Sequence, residues 1–171
     1  GWLAPDGAFV TDAGHAQVRV DPESGQPEAL VVPGKKTRTG RDIVFTQQDV
    51  RSVQLGKAAL RAGIEILLRE QGVQELDSIL LAGTFGNHLA PHDVVAIGLV
   101  PPVPVERITS IGNAAGDGAR MVLFNRRERR RAHRLAAQTR VVELSTRTDF
   151  QDLFIACTEI SAAPVDELGG A

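Results

Sequence analysis

Residues 78–87, SILLAGTFGN, run from a continuous apolar segment directly into a glycine-rich turn. An apolar run bounded by glycine predicts a buried β-strand, and strands buried on both faces are typical of parallel sheets. Residues 108–118, ITSIGNAAGDG, repeat the arrangement, because a short strand is again followed by glycines and then by a helix. The two segments therefore predict two strand–turn–helix units of an α/β fold.

A long helix is predicted before the first of these strands. Thr46 suits an N-cap, Asp49 places negative charge in the first turn, and Gly72 suits a C-cap. The helical spacing predicts a buried stripe, made of Val50, Val53, Leu60, Ile64, Leu67 and Leu68. Lys57 falls on this stripe among three small residues. The pattern leaves two interpretations open: a lysine whose stem packs while its ammonium reaches water, or a lysine that faces a ligand.

The rest of the chain extends the alternation of helices and strands. We predict a short helix over 91–97, an extended connection over 99–104, a helix over 119–137, a strand over 141–144 and a last helix. That last helix aligns Phe150, Leu153, Phe154 and Cys157 on one face. We expect three regions: a β-rich segment over 1–45 that could complete an upstream domain, an α/β subdomain over 46–157, and a flexible tail over 158–171.

Composition excludes several classes of protein. The chain has 171 residues, a formal net charge of −2 and one cysteine, so a disulfide framework or a multi-cysteine metal site within it is excluded. No apolar run approaches the roughly 20 residues of a membrane-spanning helix, and a reduced, cytoplasmic setting is expected. Because the sequence begins Gly1-Trp2, we interpret it as a fragment of a longer protein.

Nucleic-acid binding is not favoured, although residues 126–134 form a strongly basic run. Aromatic residues make up only 4% of the chain and do not interleave with these arginines, so a solvated helix face is the preferred interpretation. A metal site at His88 and His92 is also disfavoured, because Pro91 interrupts a regular helix through both histidines. Cys157 is predicted to be a core residue.

The two glycine-rich turns are the best candidates for ligand contact. Glycine lets the backbone approach a ligand closely, and free N–H groups at a helix start suit a nucleotide or a phosphate. Neither turn has the dinucleotide spacing G-x-G-x-x-G, and the chain contains no G-x-x-x-x-G-K-[ST] motif. In the second turn, packing is the preferred interpretation for Ala114 and Ala115.

Four phrases of the sequence, in the same order along the chain, resemble one family. They are FTQQDVRSVQLGKAALRAGIEILL, LAGTFGNHLAPHDVVAIGLVP, ITSIGNAAGDGARMVL and VELSTRTDFQDLFIA. They resemble the C-terminal part of the ATP-dependent reductive activators of corrinoid proteins, a branch of the acetate and sugar kinase, heat-shock chaperone and actin superfamily. The resemblance covers about residues 42–157, and the four phrases together make it specific.

The resemblance implies a fold and a function. The fold would be half of an actin-like ATPase with a ribonuclease-H-like sheet, and residues 46–157 would be its C-terminal subdomain. The full protein would carry a [2Fe–2S] domain upstream and would use ATP with Mg²⁺ to reduce an inactive Co(II) corrinoid to Co(I). Its partners would be a corrinoid protein of a methyltransferase system and the upstream half of its own chain, with a homodimer as a further option. No cofactor is expected to be covalently bound in this fragment.

The resemblance also carries over site residues by position. Gly83, Thr84, Phe85, Gly86 and Asn87 match the superfamily's adenosine turn. The stretch from Gly112 to Gly118 matches its second connecting segment, in which Gly112, Asn113 and Gly116 are the candidates for nucleotide contact. Lys57 and Arg61 match, by position only, the helix that touches adenine and ribose in chaperone-type relatives.

The superfamily's phosphate-binding loop of the type D-x-G-T is missing from the sequence, as are the iron–sulfur cysteines. We therefore name no catalytic residue and no metal ligand, and expect the fragment alone to be inactive. Two alternatives remain open: a non-catalytic packing or dimerisation module of the same fold, and one lobe of a small-molecule kinase.

Overall fold

A computed structural model describes residues 1–12, 14–161 and 163. Their strands are β1 (Val18–Val20), β2 (Pro27–Val32), β3 (Ile43–Thr46), β4 (Ile79–Leu81) and β5 (Ile108–Ser110). Their α-helices are α1 (Gln47–Gln71), α2 (Gly83–Gly86), α3 (Pro91–Ala96), α4 (Ala114–Phe124), α5 (Arg126–Gln138) and α6 (Thr148–Ala156). Most of the tail predicted over 158–171 lies outside the described residues.

The β-rich character predicted for this segment is confirmed, and its strands form an antiparallel sheet in the order β1-β2-β3. Its core residues Phe9 and Ala29 share one buried cluster with Val50 of α1. Strand β3 ends at Thr46, which is also the N-cap of α1, so no linker separates the sheet from the helix. The division at residue 45 stays a prediction, while the packing of this sheet against α1 is a structural fact.

The caps of α1 confirm the predicted start and end of the helix. The hydroxyl oxygen of Thr46 accepts a hydrogen bond from the backbone N–H of Asp49 at 3.2 Å. The carboxylate of Asp49 accepts one in return from the backbone N–H of Thr46 at 2.8 Å, which completes a capping box. Gly72 closes the helix in the left-handed conformation, with φ of +63°.

We predict that Thr46→Ala lowers the free energy of unfolding by about 1 kcal/mol, because it leaves a helix N–H without its acceptor. Urea unfolding of the 171-residue chain measures the change. Ser52→Ala is the matched control, since the Ser52 hydroxyl donates to the Gln48 carbonyl inside the same helix and contributes nothing to the cap. An equal loss in both variants would contradict the role given to the capping box.

The predicted buried stripe of α1 is confirmed only in part: Val50 is buried and Ile64 packs against the core cluster around Val94, whereas the rest of the stripe is half-buried or exposed. Val53, Leu60 and Leu67 are 42%, 54% and 49% exposed. The face that is buried in this chain is made of Val50, Gln54, Lys57, Ala58, Arg61, Ala62, Glu65 and Ile66. Its alanines let α6 approach closely, so that Ala58, Ala62 and Ile66 form one core cluster with Leu153 and Cys157. The core position predicted for Cys157 is confirmed.

Strands β4 and β5 pair in parallel, as predicted, with Ile79, Leu80 and Leu81 opposite Ile108, Thr109 and Ser110. Beneath them lies a second core cluster, built on Val94, Leu99, Val100 and Ile108. Both glycine-rich segments follow the carboxyl ends of these strands and therefore lie at the same edge of the sheet.

Two predictions in the C-terminal half are wrong. The helix predicted over 119–137 is two helices, α4 and α5, because Asn125 ends the first and caps the second by accepting the N–H groups of Arg127 and Glu128. Residues 141–144 do not form a strand, since Val141 is 87% exposed and pairs with no other strand of the described chain. None of the helices within the described residues combines the length and the apolar character that crossing a bilayer requires.

Candidate functional site

The two glycine-rich segments meet at the carboxyl ends of β4 and β5. The backbone N–H of Gly83 donates to the carbonyl of Gly112 at 2.8 Å. Beside it, the N–H of Ile111 donates to the carbonyl of Leu81 at 2.9 Å. The Ser110 hydroxyl donates to the side-chain oxygen of Asn87 at 2.8 Å. The structure therefore joins two segments that are separated by about 25 residues of sequence into one continuous backbone platform.

Gly83 and Gly112 have the conformation and the space that close ligand approach requires. Their φ angles are +90° and +72°, a region that other residues rarely adopt. A Cβ atom built on either residue would meet no atom within 4 Å, so open space lies above both. A flat group such as an adenine ring, or an anion that seeks backbone N–H groups, fits this edge of the sheet.

Gly86 is buried against the end of β4. A Cβ atom at this position would lie 3.3 Å from the carbonyl carbon of Leu81, so a larger side chain has to displace the strand end. Phe85 next to it is 71% exposed and lines a cavity of about 300 Å³ together with Leu60 and Leu80. Thr84 lies between Gly83 and Phe85 in the short helix α2.

The second glycine segment is shorter than the sequence suggests, because α4 already begins at Ala114. Asn113 caps this helix, and its side-chain oxygen accepts the N–H of Gly116 at 3.0 Å. A Cβ atom on Gly116 would lie 2.6 Å from the side-chain nitrogen of Asn113, so a larger residue there has to shift the Asn113 side chain that forms the cap. The contact of Gly112, Asn113 and Gly116 with a nucleotide stays a prediction.

Lys57 and Arg61 do not lie at the glycine turns. Lys57 is 3% exposed, and its Nζ donates to the carbonyl of Glu159 beyond the end of α6. Arg61 is 1% exposed, and its Nη1 donates to the carbonyl of Val100 at 2.7 Å. The α1 residues that line the cavity beside Phe85 are instead Leu60 and Ile64. A nucleotide role for Lys57 and Arg61 stays a prediction without support from these contacts.

Sequence reasoning missed the polar character of the face that carries Lys57 and Arg61. Glu65 continues the four-residue spacing of these two residues, and its carboxylate accepts from Arg61 Nε at 2.6 Å. The alanines at 58 and 62 beside this series were the signal, because small side chains let a second helix cover a polar row. The Glu159 carbonyl that accepts the hydrogen bond from Lys57 lies in a segment for which the sequence pattern predicts neither a helix nor a strand.

Burial disfavours the charged ammonium of Lys57 and lowers its pKa to about 8 from 10.5. The Cys157 thiol, the Arg61 guanidinium and the Glu159 carboxylate are the charged or titratable groups that act on it. Because the unfolded chain binds more protons between about pH 8 and 10.5, this lysine makes the free energy of unfolding rise with pH over that window.

We therefore predict that Lys57→Met is at least as stable as the parent chain at pH 7, and that its advantage shrinks between pH 8 and 10.5. Denaturant unfolding at a series of pH values measures the difference between the two chains, in which contributions common to both cancel. Lys36→Met, which removes an exposed lysine, controls for the loss of one positive charge. If the difference in the free energy of unfolding between Lys57→Met and the parent chain did not change with pH, the proposed desolvation of the Lys57 ammonium would be contradicted.

The described residues do not supply ligands for the Mg²⁺ ion or the [2Fe–2S] cluster that the family resemblance implies. They contain no cluster of three or more histidine, cysteine, aspartate or glutamate side chains able to hold a metal ion. Cys157 is buried and is the one cysteine of the chain, so a [2Fe–2S] cluster does not fit these residues. No step of an iron–sulfur reaction is therefore assigned to them.

Comparison with known proteins gives consistent matches. The family model described as the C-terminal domain of RACo, the ASKHA domain, matches residues 1–168. The corrinoid activation enzyme RamQ of Eubacterium limosum is 35% identical over 138 residues, which are 80% of this chain and 23% of RamQ. A solved structure titled reductive activator for corrinoid, iron-sulfur protein superposes with a TM-score of 0.81 at 27% identity, over 94% of this chain and 26% of that chain. The chain thus spans about a quarter of the length of these relatives.

Proposed function

Because this chain belongs to the family of the C-terminal ASKHA domain of RACo and has its actin-like fold, we propose that it is the nucleotide-binding lobe of a corrinoid reductive activator. The parent protein would reduce Co(II) corrinoid to Co(I) at the expense of ATP. The observation that carries the proposal is the hydrogen bond from Gly83 to Gly112, which holds two glycine segments together at the carboxyl ends of parallel strands.

In this proposal the work is divided between the lobe and the rest of the protein. The lobe supplies the adenosine side of the site through Gly83–Asn87. Segments upstream supply the phosphate-binding loop, the Mg²⁺ ligands and the [2Fe–2S] cluster, which ATP-driven electron transfer requires. Binding of the nucleotide between the two lobes closes the cleft and changes the contacts offered to the corrinoid protein. The setting is the reduced cytoplasm.

The experiment is a nucleotide titration of the 171-residue chain, alone and joined to its upstream half, followed by a reduction assay. Calorimetry is expected to show tight ATP binding only for the joined protein, because the lobe holds one side of the nucleotide. Reduction of a Co(II) corrinoid protein, followed by its absorbance, should then require ATP. Phosphorylation of a small molecule instead would support the kinase alternative.

We also predict that the 171-residue chain alone hydrolyses no ATP above background. It contains neither a phosphate-positioning loop nor an acidic cluster that would hold Mg²⁺ among its described residues. Phosphate release from the purified chain is the measurement, with the joined protein as the positive control. Robust turnover that disappears on mutation of a residue in this chain would contradict the proposed division of work.

A packing or dimerisation module is the second candidate, and one observation favours it. Neither α4 nor α5 has a buried residue, and Met121, Leu123 and Phe124 of α4 are 53%, 66% and 83% exposed. An exposed apolar surface such as that of α4 is typical of an interface. A joined protein that binds no nucleotide but forms a stable dimer would support this candidate over the first.

A further inference from the structure

A cavity of about 570 Å³ lies at the opposite end of the parallel strands from the glycine turns. Its walls come from residues 73–76, which lead into β4, and from residues 101–104 and Arg107, which lead into β5. The C-terminal half of α1 closes the third side through Arg61, Glu65 and Arg69. Since the two strands run in the same direction, this cavity is separate from the candidate nucleotide site.

Five charged side chains line the cavity. Three arginines, at 61, 69 and 107, line it with two glutamates, at 65 and 75. Arg107 Nη1 donates to a carboxylate oxygen of Glu75 at 3.0 Å and to the Leu76 carbonyl at 3.1 Å. The wall from Pro101 to Pro104 is mainly proline and offers few N–H groups, so the arginines are the principal donors for a ligand.

Arg61, which lines this cavity, has an unused donor. Its Nε donates to Glu65 at 2.6 Å and its Nη1 to the Val100 carbonyl at 2.7 Å. Its Nη2 is buried and has no hydrogen-bond partner among the described residues. Native proteins rarely leave a buried donor unpaired, least of all on a charged group, so this nitrogen points to an absent acceptor.

We propose that the cavity binds a small anion, a carboxylate or a phosphate, whose oxygen accepts from Arg61 Nη2. A planar guanidinium recognises both groups through paired N–H donors. Because Nη2 is enclosed, entry of the anion requires a side chain that lines the cavity to rotate aside. Arg107 adds a second positive charge near the mouth, where its side chain is 40% exposed. The proposal does not depend on the nucleotide site.

The test is titration of the 171-residue chain with inorganic phosphate and, separately, with acetate, against sodium chloride of equal ionic strength. Calorimetry and the NMR resonance of the Arg61 Nε–H group report binding. We expect one saturable site with a Kd near 1 mM, which corresponds to a binding free energy of about −4.1 kcal/mol. Saturation with phosphate identifies the anion as a phosphate, and saturation with acetate identifies it as a carboxylate.

Variants decide whether the site is the one proposed. Arg61→Met/Glu65→Met removes both buried charges together and is expected to weaken binding at least tenfold. Arg107→Gln, which leaves the buried pair intact, is expected to weaken it severalfold. The control is Arg120→Gln, an exposed arginine of α4 outside the cavity, which should bind as the parent does. Absence of saturable binding, or equal affinity in the double variant and the parent, overturns the proposal.

Discussion

Replacing Gly86 with valine is expected to weaken nucleotide binding by the joined protein at least about a hundredfold, which corresponds to ~2.7 kcal/mol. The first atom of the new side chain already lies 3.3 Å from the Leu81 carbonyl carbon, and the branched carbons need more room. The turn must then move away from the end of β4. This movement separates it from the platform that the Gly83–Gly112 hydrogen bond creates.

The measurement is calorimetric titration with ATP, with circular dichroism to verify that helix and strand content is retained. Gly63→Ala is the matched control, because a Cβ atom there makes only an ordinary 3.4 Å contact with Leu144 and alanine favours the helix α1. The control should bind nucleotide as the parent protein does. Equal affinity in Gly86→Val and the parent would remove the turn from the nucleotide site.

The elements that the sequence predicted correctly are those with a local cause. Thr46, Asp49 and Gly72 define the ends of α1 through contacts within a few residues, so the sequence alone suffices to place them. The parallel pairing of β4 and β5 was also predictable, because a continuous apolar run before a turn and a helix is typical of such strands. The two glycine segments could be recognised because each follows such a strand. The hydrogen bond between Gly83 and Gly112 that joins them could not be predicted.

The predictions that failed depend on contacts between distant parts of the chain. Helix α1 has two faces that can be buried, and the choice of the polar one depends on α6, about 90 residues later. The more apolar face, with Leu60, remains exposed here, as expected if other segments of a longer protein cover it. Among the described residues Val141 has no partner strand, which no local pattern reveals.

The position of Lys57 and Arg61 shows the limit of transferring site residues by sequence position alone. Both lie on α1, as the resemblance requires, but a helix turns its side chains by 100° per residue, and adjacent faces reach different neighbours. Leu60, three residues from Lys57, lines the cavity beside Phe85, whereas Lys57 reaches the carbonyl of Glu159. Which neighbour a side chain of α1 reaches depends on the face of the helix that carries it. The packing of the whole fold decides how that face is oriented.

Arg61→Met is expected to lower the free energy of unfolding of the chain by about 3–5 kcal/mol, the cost of breaking a buried ion pair on one side. Glu65 is 9% exposed, so its carboxylate would lose the guanidinium without gaining full hydration. The Val100 carbonyl would lose its donor as well. The thioether side chain roughly preserves the packing of the arginine stem, so the loss reflects mainly the stranded polar groups.

The double variant Arg61→Met/Glu65→Met separates this cause from a simple packing defect. Removing both charges abolishes the desolvation cost of each, so most of the lost stability should return, and the coupling free energy of the double-mutant cycle should be about 2 kcal/mol or more. Guanidinium unfolding of the four chains supplies the cycle. If the losses in the free energy of unfolding of the two single variants simply summed in the double variant, Arg61 and Glu65 would not be energetically coupled. The burial of the polar residues on α1 would then result from packing alone.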